Sequence, residues 1–522
     1  MHSTMKRFSF FLPVLLAALP AVAQMDTNTV GAPAMTNAPL ALAEANTISR
    51  AMSLQDCIQE ALQHNLDVQI QRYNPQISLY DLRAAYDGYD PKFNISGKHS
   101  YVVQPSGAVD QYQRPVPATT SDENAFNSDI GGSLPWGLQY DLSGNIAERY
   151  GSTARTNLFD SSGGSIGVTL TQPLLKNFWI DTTRLNIRVA KNRLKYSEQG
   201  LRQQIITSAT AVENAYYELI YAQENVRVQQ EALELAQTQL DQDNQRVQIG
   251  TVAERAGTVE QDQAQVAQSK ANLIAALSTL GTDQRVLKNL LTDEYSKWFV
   301  QDIHPTEPLS AVPQAFNLQE SWRKGMTERP DLLQARLNVE QQGIQLKYYR
   351  NQLYPELDLT GTYGFNGASR EFSGTFGEYH EGNGPFYSYG AQMSIPLSSV
   401  GPRNQYKASK ATLQQVALQL KQLEQSSMVL IDNAVGVAQS DYESVQASRQ
   451  ARIYAEAALD AEQKKYAVGK STTFTVLQLQ NTLTADRGLE IRALANYTQA
   501  LANLAQQEGS TLERDRIDIQ AK

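Results

Sequence analysis

The chain contains one helix-and-strand unit twice, and that repeat limits its fold more than any other feature. Shifting residues 53–91 by 264 positions lays them without a gap on 317–355. Leu54 then falls on Leu318, Asp67 on Asp331, Asn74 on Asn338, Leu82 on Leu346 and Pro91 on Pro355. Later landmarks recur in the same order. Gln172-Pro173-Leu174 answers to Ile395-Pro396-Leu397, and the run from Arg246 to Gly250 answers to Lys465 to Gly469. From Pro173 to Gly250 is 77 residues, and from Pro396 to Gly469 is 73. Between the two prolines the copies diverge, with 82 residues from Pro91 to Pro173 against 41 from Pro355 to Pro396. The expected organisation is a first repeat over 53–291 with a β segment at 92–173, then a linker at 292–316. A second repeat follows over 317–508 with a β segment at 355–396, and a tail covers 509–522.

The helical parts announce their ends. Ser53 with Asp56, and Asn317 with Glu320, have the spacing of a capping box, and Pro91 and Pro355 stop the following helix before a strand. A long helix is expected from about Thr182, capped by Asp181, to Ile249, and another from Pro402 to Val468. Each is roughly 100 Å long at about 1.5 Å per residue. In the first, Val212, Leu219, Val226, Leu233, Leu240 and Val247 recur every seven residues, with Ala215, Ala222 and Ala236 three positions later. That is a coiled-coil seam half lined with small residues, so neighbouring helices approach closely. Return helices over 252–291 and 471–508 are too short to cover their partners. The shorter helices 66–90 and 330–353 have about the missing length and would complete each pair by stacking end to end. Pro75 is expected to kink or interrupt its helix.

Between the prolines the pattern has period two. Ile166, Val168 and Leu170 oppose Gly167, Thr169 and Thr171, and Leu357, Leu359 and Tyr363 share one parity in the second copy. An apolar face outward and a small polar face inward is what a lipid-embedded barrel requires, since every backbone group must be paired in hydrocarbon. A water-soluble sandwich would show the same alternation with the apolar face inward, and alternation alone does not separate the two. The short turn 135–137 against the long loops 104–126 and 366–385 fits a barrel with short periplasmic turns and long outer loops.

Lys6 and Arg7 precede an apolar run from Phe8 to Leu19 and then Ala21-Val22-Ala23, so residues 1–23 read as a secretory signal peptide and 24–52 as a flexible segment. No later run of about 18 apolar residues offers a helical span. The net charge of −9, about −11 without Lys6 and Arg7, argues against a nucleic-acid partner. Cys57 is the only cysteine, which excludes an intrachain disulfide and a multi-cysteine metal site. His64, His99, His304 and His380 are scattered, and no HExxH, GxSxG or phosphate-binding glycine motif occurs. No catalytic residue, cofactor or metal is therefore expected, and the chain reads as a non-enzyme. Asp241 and Asp243 are expected on an exposed, solvated helix face. Loop 366–385, with Glu371, Glu378, His380 and Glu381, reads as a mobile outer loop or a cation binder.

Five landmarks carry a resemblance. They are Tyr216-Tyr217 within Asn214 to Leu219, Arg246 to Thr251, Arg329-Pro330-Asp331-Leu332, Tyr354-Pro355, and Pro396-Leu397 with Gly401-Pro402-Arg403. With them the chain resembles the TolC-like outer-membrane efflux family over nearly all of 53–508. The resemblance implies a mainly α fold with a β-barrel portion. Three copies would join their coiled-coil hairpins into a twelve-helix periplasmic tunnel, continuous with a shared barrel in outer-membrane lipid. It implies a Gram-negative outer-membrane channel for efflux or type I secretion, served by an inner-membrane pump and a periplasmic adaptor, or membrane fusion protein. A periplasmic coiled-coil scaffold and a passive porin are the competing readings.

The resemblance also assigns residues. Arg246, Val247, Gly250 and Thr251, with Tyr466, Val468, Gly469, Lys470 and Ser471, would form the adaptor-docking and gating tip. Both glycines stand where a helix reverses sharply. Members of the family often carry acidic residues six and nine positions after the second glycine. Here those positions are Thr475 and Gln478, while Glu254, Arg255 and Glu260 stand near the first. These five are either a pore entrance or a solvated face. Four strands per chain is the expectation, with the surplus segments 127–134 and 138–149 as an added outer hairpin. Six per chain would make eighteen, a number expected to fit poorly on twelve helices.

Overall fold

The structure, a computed structural model, describes residues 48–152, 158–248 and 258–517. The signal-peptide segment therefore lies outside the described residues. Strand β1 (Ile48–Met52) precedes repeat one, which opens with α1 (Leu54–His64) and α2 (Leu66–Ala84). Strands β2 (Lys92–Gln104), β3 (Thr119–Ser133), β4 (Gln139–Ser152) and β5 (Leu158–Pro173) follow. The long helix α3 (Thr182–Gln248) and its return α4 (Thr258–Leu291) complete the repeat. The connection holds a short helix, α5 (Tyr295–Trp298), and strand β6 (Gln301–Pro305). Repeat two runs α6 (Leu318–Glu328), α7 (Pro330–Asn351), β7 (Glu356–Ser369), α8 (Phe372–Glu381) and β8 (Pro385–Ser394). It ends with α9 (Val400–Ala467), α10 (Thr473–Glu508) and α11 (Thr511–Arg514).

The caps act largely as the residues predict. Ser53 Oγ accepts from the Asp56 amide while Asp56 accepts from the Ser53 amide, a complete capping box. Asn317 caps α6 by accepting from the Gln319 and Glu320 amides. Asp181 accepts from the Arg184 amide at the head of α3. The interruption expected at Pro75 does not occur, and α2 runs through it. Proline removes one backbone donor there, and the packing of α2 along α3 keeps the helix going.

Four helices lie abreast at every level. Below, α3 pairs with its return α4, and α9 with α10, while α10 also lies on α3. Above the ends of the returns, α2 packs on α3, and α7 lies between α3 and α9. The short helices stack end to end on the returns. Asn65 Nδ2, at the head of α2, donates to the carbonyl of Leu290 near the end of α4 (3.0 Å). Arg329 Nη1, before α7, donates to the carbonyl of Gln507 near the end of α10 (2.9 Å).

The seam is the core. Val212, Tyr216, Leu219 and Ala222 are fully buried, and Ile58, Leu287 and Leu291 pack around them. Three segments read as a flexible N-terminal stretch, a linker and a tail join this core. Strand β1 pairs in parallel with β6, Tyr216 donates its hydroxyl to the carbonyl of Met52, and Thr511 and Leu512 are buried beside α3 and α10.

The strand count departs from expectation. A single antiparallel sheet has the order β2-β3-β4-β5-β7-β8, six strands from one chain. The surplus residues of repeat one are full strands, β3 and β4, placed between β2 and β5. They are not a hairpin outside a four-stranded set, because β3 offers one edge to β2 and the other to β4 along its whole length. The Pro135-Trp136-Gly137 turn joins them, with Gly137 in the left-handed region at φ +92°. The loop read over 366–385 is mostly structured, with β7 extending into it and α8 folding back on β5 and β7.

Candidate functional site

Two places in this fold differ from an ordinary helical protein: the two faces of the sheet and the far end of the hairpins. The register sorts the sheet residues row by row. One row runs Phe93, Ile130, Leu142, Val168, Tyr363, Tyr387, each the direct partner of the next. Every member is apolar or aromatic, and each is between 39% and 75% exposed. The neighbouring row, on the opposite face, runs Lys92, Gly131, Asp141, Thr169, Thr362, Ser388. Among the described residues no second sheet covers the apolar face, the other sheet being the two-stranded β1–β6 pair. A sandwich would bury that row. A sheet facing lipid would leave it outward, as found. No helix among the described residues is long and apolar enough to cross a membrane.

At the other end, α9 closes in a left-handed glycine. Gly469 has φ +75°, and the Lys470 amide reaches back to the carbonyl of Lys465 (2.9 Å). Thr472 caps α10 by accepting from the Thr475 amide. Inside this turn four helices meet on one carboxylate. Tyr466 of α9 donates its hydroxyl to Asp243 of α3 (2.6 Å), Thr473 of α10 donates to its other oxygen (3.0 Å), and Gln239 Nε2 donates there too (3.0 Å). Asp262 of α4 is fully buried beside it. Burial first, and then the charge of Asp243 and a hydrogen bond with it, push the Asp262 carboxyl up to about 7. Asp262 therefore holds its proton to about neutral pH, because burial beside a second carboxyl disfavours its charged form. Nearby, Gln265 of α4 and Asn481 of α10 exchange amide hydrogen bonds at 2.8 and 3.1 Å.

Of the residues assigned to the tip from sequence, Tyr466 enters this network. Val468 and Lys470 stand exposed beside Gly469, and Ser471 donates to Glu462. Arg246 and Val247 fall in the last turn of α3. Gly250, Thr251, Glu254 and Arg255 lie outside the described residues. Glu260 and Gln478 are exposed, and Thr475 is part of the α10 cap.

Asp243 corrects the sequence reading. Expected on a solvated face with Asp241, it is 4% exposed. Its position held the signal: Asp243 lies seven residues after Ala236, on the small-residue line of the seam. Phe474, 65% exposed beside the Gly469 turn, was also missed, because nothing in its neighbourhood marks the helix face it occupies.

Comparison with known proteins gives a consistent result. The sequence model of one family, Outer membrane efflux protein, matches residues 135–292 and 325–510. The chain is 26% identical over 320 residues to Outer membrane protein TolC of Escherichia coli K12, covering 60% of this chain. It spans 63% of the length of that relative. Against Outer membrane protein TolC of Vibrio cholerae it is 25% identical over 365 residues, covering 68% of this chain and 79% of the relative. The crystal structure of the outer membrane protein VceC from Vibrio cholerae superposes with a TM-score of 0.63 at 17% identity. The match covers 87% of this chain and 96% of that one.

Proposed function

We propose, from the premise that this chain belongs to the outer membrane efflux protein family, that three copies close into one conduit through which substrates leave the cell. It is an outer-membrane protein with a large periplasmic portion, and its relatives are channel proteins rather than enzymes. The observation that carries the reading is the exposed apolar row on one face of a sheet whose other face is polar.

Widths support the closure. Strands β2 and β8 end the sheet order, each with one edge unpaired among the described residues, so β8 of one copy would find a partner in β2 of the next. Four helices abreast at about 8–10 Å spacing span roughly 32–40 Å. Six strands about 4.8 Å apart, tilted by about 40°, span roughly 38 Å, whereas four would span only about 25 Å. Eighteen strands therefore fit on twelve helices. The expectation of a poor fit counted elements and ignored that a helix is about twice as wide as a strand spacing.

The tip is the docking and gating end in this reading. Val468, Lys470 and Phe474 are exposed around the Gly469 turn, where a periplasmic adaptor linked to an inner-membrane pump would grip. The Tyr466–Asp243–Thr473 network ties the two hairpins together and would hold the entrance shut until the adaptor engages. The polar sheet face would line the outlet.

A single cysteine tests the docking. Cys57 is buried, and burial pushes its thiol up to about 12, so it stays unreactive and need not be removed. Lys470→Cys carrying a photocrosslinker is expected to capture a periplasmic adaptor in intact cells. Capture of no adaptor by an assembled, membrane-inserted trimer would sink the docking assignment.

A further inference from the structure

We propose that the groove between the upper parts of α3 and α7 is a binding site for the phosphate headgroup of an anionic phospholipid in the periplasmic leaflet. This rests on the reading that the sheet lies in the outer membrane. A cavity of about 500 Å³ opens there, and Arg188, Lys191 and Lys195 of α3 meet Lys347 of α7 across it, with Glu340 as its one carboxylate. All four cations are exposed, and none has an ion-pair partner among the described residues. Asn192 also lines the cavity. It is 4% exposed, and neither its amide nitrogen nor its oxygen finds a hydrogen-bond partner. A buried, unpartnered donor is costly unless something fills the site. A phosphate oxygen would accept from Nδ2 and pair with the surrounding cations.

The charge here runs against the rest of the molecule. The chain carries a net −9, yet from Thr182 to Ser197 α3 has five cations and no carboxylate. In the matching part of repeat two, α9 carries Arg403, Lys407, Lys410 and Lys421 before its first acid, Glu424. Helix N-termini favour acids, so these cations do not serve helix stability. Their position supplies another reason. Arg188 lies about 9 Å and Lys195 about 20 Å along α3 from its start, which follows directly on the sheet. Side chains on a helix lean towards its N-terminus, here the membrane end. Trp136, Phe178 and Trp179 stand 40–49% exposed around that end, the aromatic belt of a membrane–water boundary. The groove is also away from the flanks where copies would meet, because α3 lies between α2 and α7, and α7 between α3 and α9.

The test uses the full chain extracted in mild detergent, with native mass spectrometry reading oligomer and bound lipid together. Phosphatidylglycerol is expected to stay bound at least about tenfold more than phosphatidylcholine, whose choline cation would stand among the four cations around the phosphate. The double variant Lys191→Gln/Lys195→Gln, and separately Asn192→Asp, are expected to reduce it to the phosphatidylcholine level with the trimer intact. Equal retention of the two lipids by an intact trimer overturns the site, as does unchanged retention in the lysine variant. Displacement of phosphatidylglycerol by millimolar inorganic phosphate, with no preference between the lipids, assigns the groove to a free anion and overturns the lipid reading. Absence of a trimer in the unsubstituted protein counts instead against the channel reading on which the site rests.

Discussion

Arginine at Val168 is expected to abolish insertion and assembly, while arginine at Thr169, one residue along the same strand, is expected to leave both intact. The two side chains occupy opposite faces of β5. Val168 belongs to the exposed apolar row, and Thr169 to the polar row, where its hydroxyl lies 3.3 Å from that of Thr362. A cation on the lipid face near mid-membrane costs about 2–4 kcal/mol per site, and a closed trimer would carry it three times. On the lumenal face the same group stays hydrated and adds three positive charges to the outlet. Heat-modifiable migration on gels reads assembly, and reversal potentials in planar bilayers read selectivity. The Thr169→Arg channel should shift towards anions. Assembly of Val168→Arg at the level of the unsubstituted protein would mean that the faces have been assigned the wrong way round.

The second large effect is a pH dependence at the tip. Asp262 holds its proton up to about 7 in the network with Asp243, against an ordinary carboxyl value of 3.8. Below about pH 4 it is protonated whether the hairpins are tied or apart, and the tie is strongest. Between about 4 and 7 the released form gains by losing the proton, so the tie weakens by up to about tenfold per pH unit, and above 7 it changes no further. Channels reconstituted without adaptor should therefore open more often at pH 8 than at pH 5. Asp262→Asn keeps an uncharged donor beside Asp243 and should flatten that dependence while preserving the low-pH conductance. An Asp262→Asn channel with the pH response of the unsubstituted protein would remove the carboxyl pair from the gating account.

What could be read from the residues followed their periodicity. The seven-residue spacing from Val212 to Val247 and the period-two alternation around Val168 each depend on local geometry, and both elements formed where expected. Stacking of the short helices on the returns followed from lengths alone. The misses were non-local. Of the kink or interruption expected at Pro75, the interruption does not occur, because α3 packs beside the helix there. Asp243 is buried because Tyr466 and Thr473, more than 220 positions away, bring hydrogen bonds to it. The place of β3 and β4 in the sheet depends on which edges pair, and alternation marks a strand without naming its neighbours. Helix α8 was hidden by its glycines, which read as loop.

In the proposed channel three chains close one barrel through their β2 and β8 edges. A single-particle reconstruction of the detergent-extracted protein, at a resolution that separates strands, tests it most directly. Threefold symmetry, twelve helices abreast in the tunnel and eighteen strands in the barrel are expected. A trimer with twelve strands, β3 and β4 lying outside the wall, would contradict that arrangement, as would a sheet that stays open at β2 and β8.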